Sequence, residues 1–126
     1  MKRFWIGLGV LCVILALGIS LNLWMEKLHT DLARELEQAG ALAQEEQWEQ
    51  AGQVARQAYA RWQGRRHLLA AVVDHEPLEE MERLFSQLWV YRQRHWVTEF
   101  AATCLQLARQ AEAVGDSHIL TWWNLL

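Results

Sequence analysis

Asp74, His75 and Glu76 are consecutive and form the closest cluster of metal-capable, proton-moving side chains in the chain. Glu79 lies four positions beyond His75. On a helix that starts early, this spacing puts an imidazole and a carboxylate on one face, as half of a site for zinc or another divalent ion. Such sites take three or four protein ligands, so the others would have to come from His67, His118 or a carboxylate brought near by folding. The same residues equally describe a capped helix start with a histidine hydrogen-bonded between helices. That structural role is the expectation; the metal pair His75 and Glu79 is its alternative. Nucleophilic chemistry has less to stand on. Ser86, Ser117 and Cys104 lack a glycine-rich elbow, an oxyanion loop or a base close in sequence, and no phosphate-cradling glycine loop occurs. An enzyme is not expected, and no cofactor is implied.

Tryptophan is in excess, with 8 in 126 residues. Trp48, Trp62, Trp89 and Trp96 fall on helix faces, where core packing accounts for them. Trp122 and Trp123 are adjacent and cannot share one helix face. With Asn124 and Leu125 they close an apolar tail, 118–126, that exceeds what a solvated end needs. Trp122–Leu125 and the polar cluster Asp74–Glu76 are therefore the candidate partner-binding elements.

These residues must be positioned by a chain whose start is unlike the rest. From Phe4 to Met25 there is no charged residue, a run long enough for a helix of roughly 33 Å, which crosses the hydrocarbon core of a bilayer. Lys2 and Arg3 precede it, which leaves the N-terminus cytoplasmic and the remainder extracytoplasmic. A cleaved signal peptide shares the basic start, and Ala16-Leu17-Gly18 offers a passable site, but the run continues well past Gly18. Trp5 and Trp24 flank it as interfacial anchors would. A pilin-like stem lacks its early acidic residue. The expectation is an uncleaved single-pass anchor, 1–25, followed by one small domain, 26–126.

The whole chain carries a net charge of −3; without Lys2 and Arg3, 10 basic residues face 15 acidic ones, so the outer part stands at −5. Nucleic acid is excluded as a partner on that balance, and adhesion to anionic lipid gains no support. Arg61, Arg65 and Arg66 read as a solvated face. Cys12 lies in the span and Cys104 in the outer part, so the two do not pair, and the apolar neighbours of Cys104 favour burial.

The outer part is rich in Ala, Leu, Gln, Glu and Arg without strand-like alternation, so it is all-helical. A first helix continues out of the membrane with Leu28, Leu32, Leu36, Ala39 and Leu42 on one side, and 44–46 turns the chain. A second carries Trp48, Ala51, Ala55, Ala58, Trp62, Leu69 and Val73, its alanines allowing close approach to the first. Asp74 or Glu76 caps a third, with Leu78, Met81, Leu84, Phe85 and Leu88 as its stripe. A fourth runs from Trp96 through Phe100, Cys104, Leu107 and Ala111, with Gly115 as its C-cap. Trp48 and Trp96 open the second and fourth helices alike, 48 residues apart. The fold expected is all-α: a transmembrane helix leading into four helices arranged as two similar antiparallel hairpins, about 26–73 and 75–114.

The membrane start, Gln47-Trp48-Glu49-Gln50-Ala51, the Asp74-His75-Glu76 centre and the ending Trp122-Trp123-Asn124-Leu125-Leu126 occur in an order that resembles a family of small single-pass proteins of Gram-positive bacteria, domain of unknown function 4363. Pro77 and the Asn-Leu-Leu ending depart from that family's pattern. The resemblance implies an anchored helical protein with no assigned activity and a membrane-embedded partner, of the YetF-like type. The function expected is a non-enzymatic interaction or accessory module at the outer face of the membrane; the alternative is a metal- or small-ligand-binding sensor centred on the Asp-His-Glu element.

Overall fold

The computed structural model describes residues 1–70 and 75–124; for 25, 68–70, 75 and 115–124 it describes the backbone alone. Every described element is helical: α1 (Lys2–Gln44), α2 (Trp48–Ala70), α3 (His75–Arg94) and α4 (Val97–Asn124). At about 1.5 Å per residue α1 is some 64 Å long. It is one unbroken rod whose two halves differ in what surrounds them. From Met1 to Trp24 its residues are exposed except for half-covered Gly18 and Asn22, whereas from Leu28 onward it contributes Leu28, Leu32, Ala33, Leu36, Ala39 and Ala43 to the core.

The stripes expected of the other helices are buried as their spacing implies. Ala51, Ala55, Ala58 and Trp62 line α2, Leu78, Met81, Leu84, Phe85 and Leu88 line α3, and Phe100, Cys104, Leu107, Ala111 and Val114 line α4. Leu69 and Val73 fall outside the described side chains. Phe85 sits at the centre, with Tyr59, Trp62 and Trp89 ring centroids at 5.0, 5.6 and 6.4 Å.

Glu35 of α1 meets Arg61 of α2, Arg66 of α2 meets Glu82 of α3, and Gly40 of α1 meets Ala101 and Cys104 of α4. The most extensive packing joins the first and last helices rather than the first two. Gly40 explains why. A Cβ there would lie 3.3 Å from the Cβ of Cys104 and 3.4 Å from the Ala101 carbonyl, so the missing side chain lets α1 and α4 approach at backbone distance. The sequence shows the α2 alanines that let α2 approach α1, and these are buried, but it gives no sign of the part this glycine plays toward α4.

Three boundaries differ from expectation. The fourth helix does not stop at Gly115 but continues to Asn124. A glycine inside a helix costs only about 1 kcal/mol relative to alanine, and no proline follows to end it. Residues 118–124 are thus part of α4, not a separate tail, and 125–126 lie outside the described residues. The third helix starts at His75, which places Glu76 inside the first turn rather than at the cap and Pro77 where its missing N–H is harmless. Asp74 lies outside the described residues. Gln44 ends α1, so the first turn occupies 45–47.

That turn and the one between α3 and α4 are built alike. Glu46 (φ 64°) and His95 (φ 56°) are both left-handed. Their N–H groups donate to Ala43 O and Arg92 O, each at 3.3 Å, while those of Gln47 and Trp96 donate to Leu42 O and Tyr91 O at 2.9 and 3.0 Å. This is the paired closure of a Schellman cap. Equivalent residues are 49 apart, as from Glu46 to His95, so Trp96 matches Gln47 rather than Trp48. The tryptophan echo at 48 was one residue out of register.

Candidate functional site

The bundle has two ends. At the one remote from the apolar half of α1, the turn residues gather around Trp48. Its ring stacks on His95 at 5.3 Å, tilts against Phe100 at 5.0 Å and lies under the Arg92 guanidinium at 5.3 Å. Arg92 Nη1 donates to the Trp48 carbonyl at 2.8 Å, and Nη2 reaches Glu49 at 3.3 Å. Arg92 reaches this carbonyl across Gly52, where any Cβ would overlap its guanidinium. Trp96 stacks on Tyr91 at 5.9 Å with Arg94 over it at 5.2 Å, yet remains 44 % exposed. Core packing therefore does not explain Trp96, because it occupies the turn rather than a helix face. It explains buried Trp62 and half-buried Trp48 and Trp89.

At the other end, beside the apolar half of α1, the four helices enclose a small apolar cavity of about 20 Å³, lined among others by Trp24, His29, Trp62, Arg65, Met81 and Val114. That is room for one water molecule. His29 is almost fully buried here, one of two buried polar residues with Thr103 among the described residues. Arg65 is half-buried beside it; burial and the neighbouring Arg61 pull its guanidinium below the usual range, against the opposing effect of Asp31 and Glu35. The three arginines are thus more than a solvated face. Arg61 crosses to Glu35 at 2.7 Å, and Arg66 crosses to Glu82 at 2.6 Å while lying 5.9 Å over the Trp62 ring. His29, Gly52 and Gly40 escaped the sequence reading. Only its i, i+4 and i, i+7 relation to the core residues Ala33 and Leu36 marks His29 in the sequence.

The start of α3, His75 and Glu76, reaches the same end, since Leu78 also borders the cavity. Glu76 and Glu79 are exposed. His75 and Glu79 are one helical turn apart on α3, but Asp74 and the side chain of His75 lie outside the described residues. Among the described residues no group of three His, Cys, Asp or Glu side chains converges for a metal. His67 is exposed in the last turn of α2, and His118 and Ser117 belong to α4 with side chains outside the described set. Ser86 donates to Glu82 O at 2.9 Å within its own helix. Cys104 is fully buried and its thiol is pushed up to about 12 by desolvation, which removes it as a nucleophile. Trp122, Trp123 and Asn124 belong to the last turn of α4, and Leu125 lies outside the described residues. The chain matches no protein family, no characterised protein and no solved structure.

Proposed function

We propose that this protein is a non-enzymatic, single-pass interaction module, held in the cell membrane through residues 4–25 with its N-terminus cytoplasmic and its helical body outside. One observation carries the reading: α1 is long and apolar enough to cross a membrane, and none of its apolar window is buried in the protein, although the same rod continues into the core. The 14 large apolar side chains exposed between Phe4 and Trp24 would each cost roughly 1–2 kcal/mol in water relative to a non-aqueous setting. Lipid removes that cost.

The partner in this proposal is another membrane or envelope protein, of the YetF-like type that the resemblance to domain of unknown function 4363 implies. Support comes from the convergence of the start of α3 and the far end of α4 on the membrane-side end of the body, where a membrane-embedded protein is within reach. The body itself is proposed to be two similar hairpins, a reading supported by the matched turns at Glu46 and His95. Cross-linking in intact cells from position 76 and from position 122 tests the interaction. Deletion of 119–126 is expected to abolish the cross-linked partner while leaving the helicity of the body unchanged; an undiminished cross-link after deletion contradicts it.

The second reading is a divalent-metal sensor on the His75–Glu79 face, favoured by their one-turn spacing on α3. Zinc is then expected to raise the melting temperature of wild type and not of His75→Ala. An unmoved temperature in both removes it.

A further inference from the structure

The α1–α4 register extends beyond the cavity. Gly40 lies against Ala101 and Cys104, and further down Leu28 and Leu32 border the same space as Ala111 and Val114. Each step along α4 therefore matches a step back along α1. Continued at the same pitch, Asp116 comes level with Glu26 and Lys27, and Asn124 comes level with Gly18, about 15 Å below Val114. Two observations give this level meaning. First, Glu26 and Lys27 are where the charge of α1 resumes, and Asp116 is where the charge of α4 ends: residues 117–126 contain no Asp, Glu, Lys or Arg. The charged and uncharged zones of the two helices share one boundary. Second, Asn22 is half-covered in a mostly exposed stretch and lies on the flank of α1 that faces α4 higher up.

We infer that the last two turns of α4, from Ser117 to Asn124, lie in the outer headgroup layer of the bilayer beside α1, so that the protein meets lipid twice. This rests on the proposal that 4–25 spans the membrane. Without the proposed partner, the occupant of this helix end is the lipid interface itself: its Ile119, Leu120, Trp122 and Trp123 are the residue types that partition there, and its lack of charge makes the contact apolar rather than electrostatic. The two α4 turns fix the tilt of the body on the membrane, which a single helix leaves free.

Full-length protein in lipid nanodiscs, with Cys12→Ser and one bimane-labelled cysteine at a time, tests this. Ile14→Cys, Glu112→Cys and Thr121→Cys are compared, with nitroxide on the lipid headgroup, nitroxide at mid-chain, or aqueous iodide as quencher. Position 112 is expected to respond to iodide alone and position 14 to the mid-chain nitroxide. Position 121 is expected to respond to the headgroup nitroxide and to be roughly threefold or more better shielded from iodide than 112, at low and high salt alike. Iodide quenching of 121 equal to that of 112, with 14 still quenched from mid-chain, overturns the inference and spares the span. Shielding of 121 from every quencher also overturns it, by showing cover from protein instead. Loss of the mid-chain response at 14 removes the span and the inference together.

Discussion

Arg92 is a clamp and a ring partner at once, and it can be both only because position 52 has no side chain. Its guanidinium donates to the Trp48 carbonyl and lies over the Trp48 ring, while its ion pair with Glu49, a residue 85 % exposed, adds little. Alanine is the better helix former by about 1 kcal/mol, yet Gly52→Ala must displace a charged hydrogen bond contributing about 1.5–3 kcal/mol. Denaturant unfolding is therefore expected to show a net loss of about 1 kcal/mol, and a gain contradicts the clamp. Cys104 gives a pH signature. The folded protein holds its thiol proton up to about 12, whereas the unfolded chain releases it near 9.0. Stability from this group is complete below 9.0 and falls as pH rises through that window, by about 1.4 kcal/mol per pH unit. Cys104→Ala is expected to flatten that alkaline slope relative to wild type; equal slopes show that the thiol is not buried in solution.

At the scale of elements, the two remote turns carry backbone strain that a glycine relieves. A left-handed non-glycine residue costs about 1–2 kcal/mol, less the 0.5–1 kcal/mol by which glycine's flexibility disfavours it. Glu46 is exposed with no described side-chain partner, so Glu46→Gly is expected to raise stability by up to about 1 kcal/mol. His95→Gly gains the same relief but loses the stack on Trp48, so its melting temperature should rise less or fall; a larger rise at His95 than at Glu46 contradicts the assignment. The helices themselves were legible in the sequence because apolar residues recur at three and four, and the described stripe residues other than Trp96 are buried or half-buried as that pattern implies. What periodicity does not carry is which pair of helices packs closest. That depended on Gly40, one small residue in a long helix, and a glycine signals equally a break, a cap or a close approach. Gly115 was misread for the same reason in reverse. The tryptophan echo fell one residue off because a turn's register is set by its left-handed residue, and Glu46 and His95 have no sequence signature for that conformation.

Taken whole, the molecule is a long rod with three further helices gathered on its C-terminal half. The sequence marked the rod's apolar half by composition alone. The cavity beside His29 and the shared charge boundary of α1 and α4 became visible only when residues far apart in the chain were set at one height. The central claim is that lipid surrounds the first half of α1 and that the body stands outside. Protease added to intact protoplasts tests it most directly. Digestion of the body, with a membrane-bound remnant of about the anchor's length, is the expected result; a full-length chain that survives the protease, or that fractionates with the soluble cytoplasm, contradicts it.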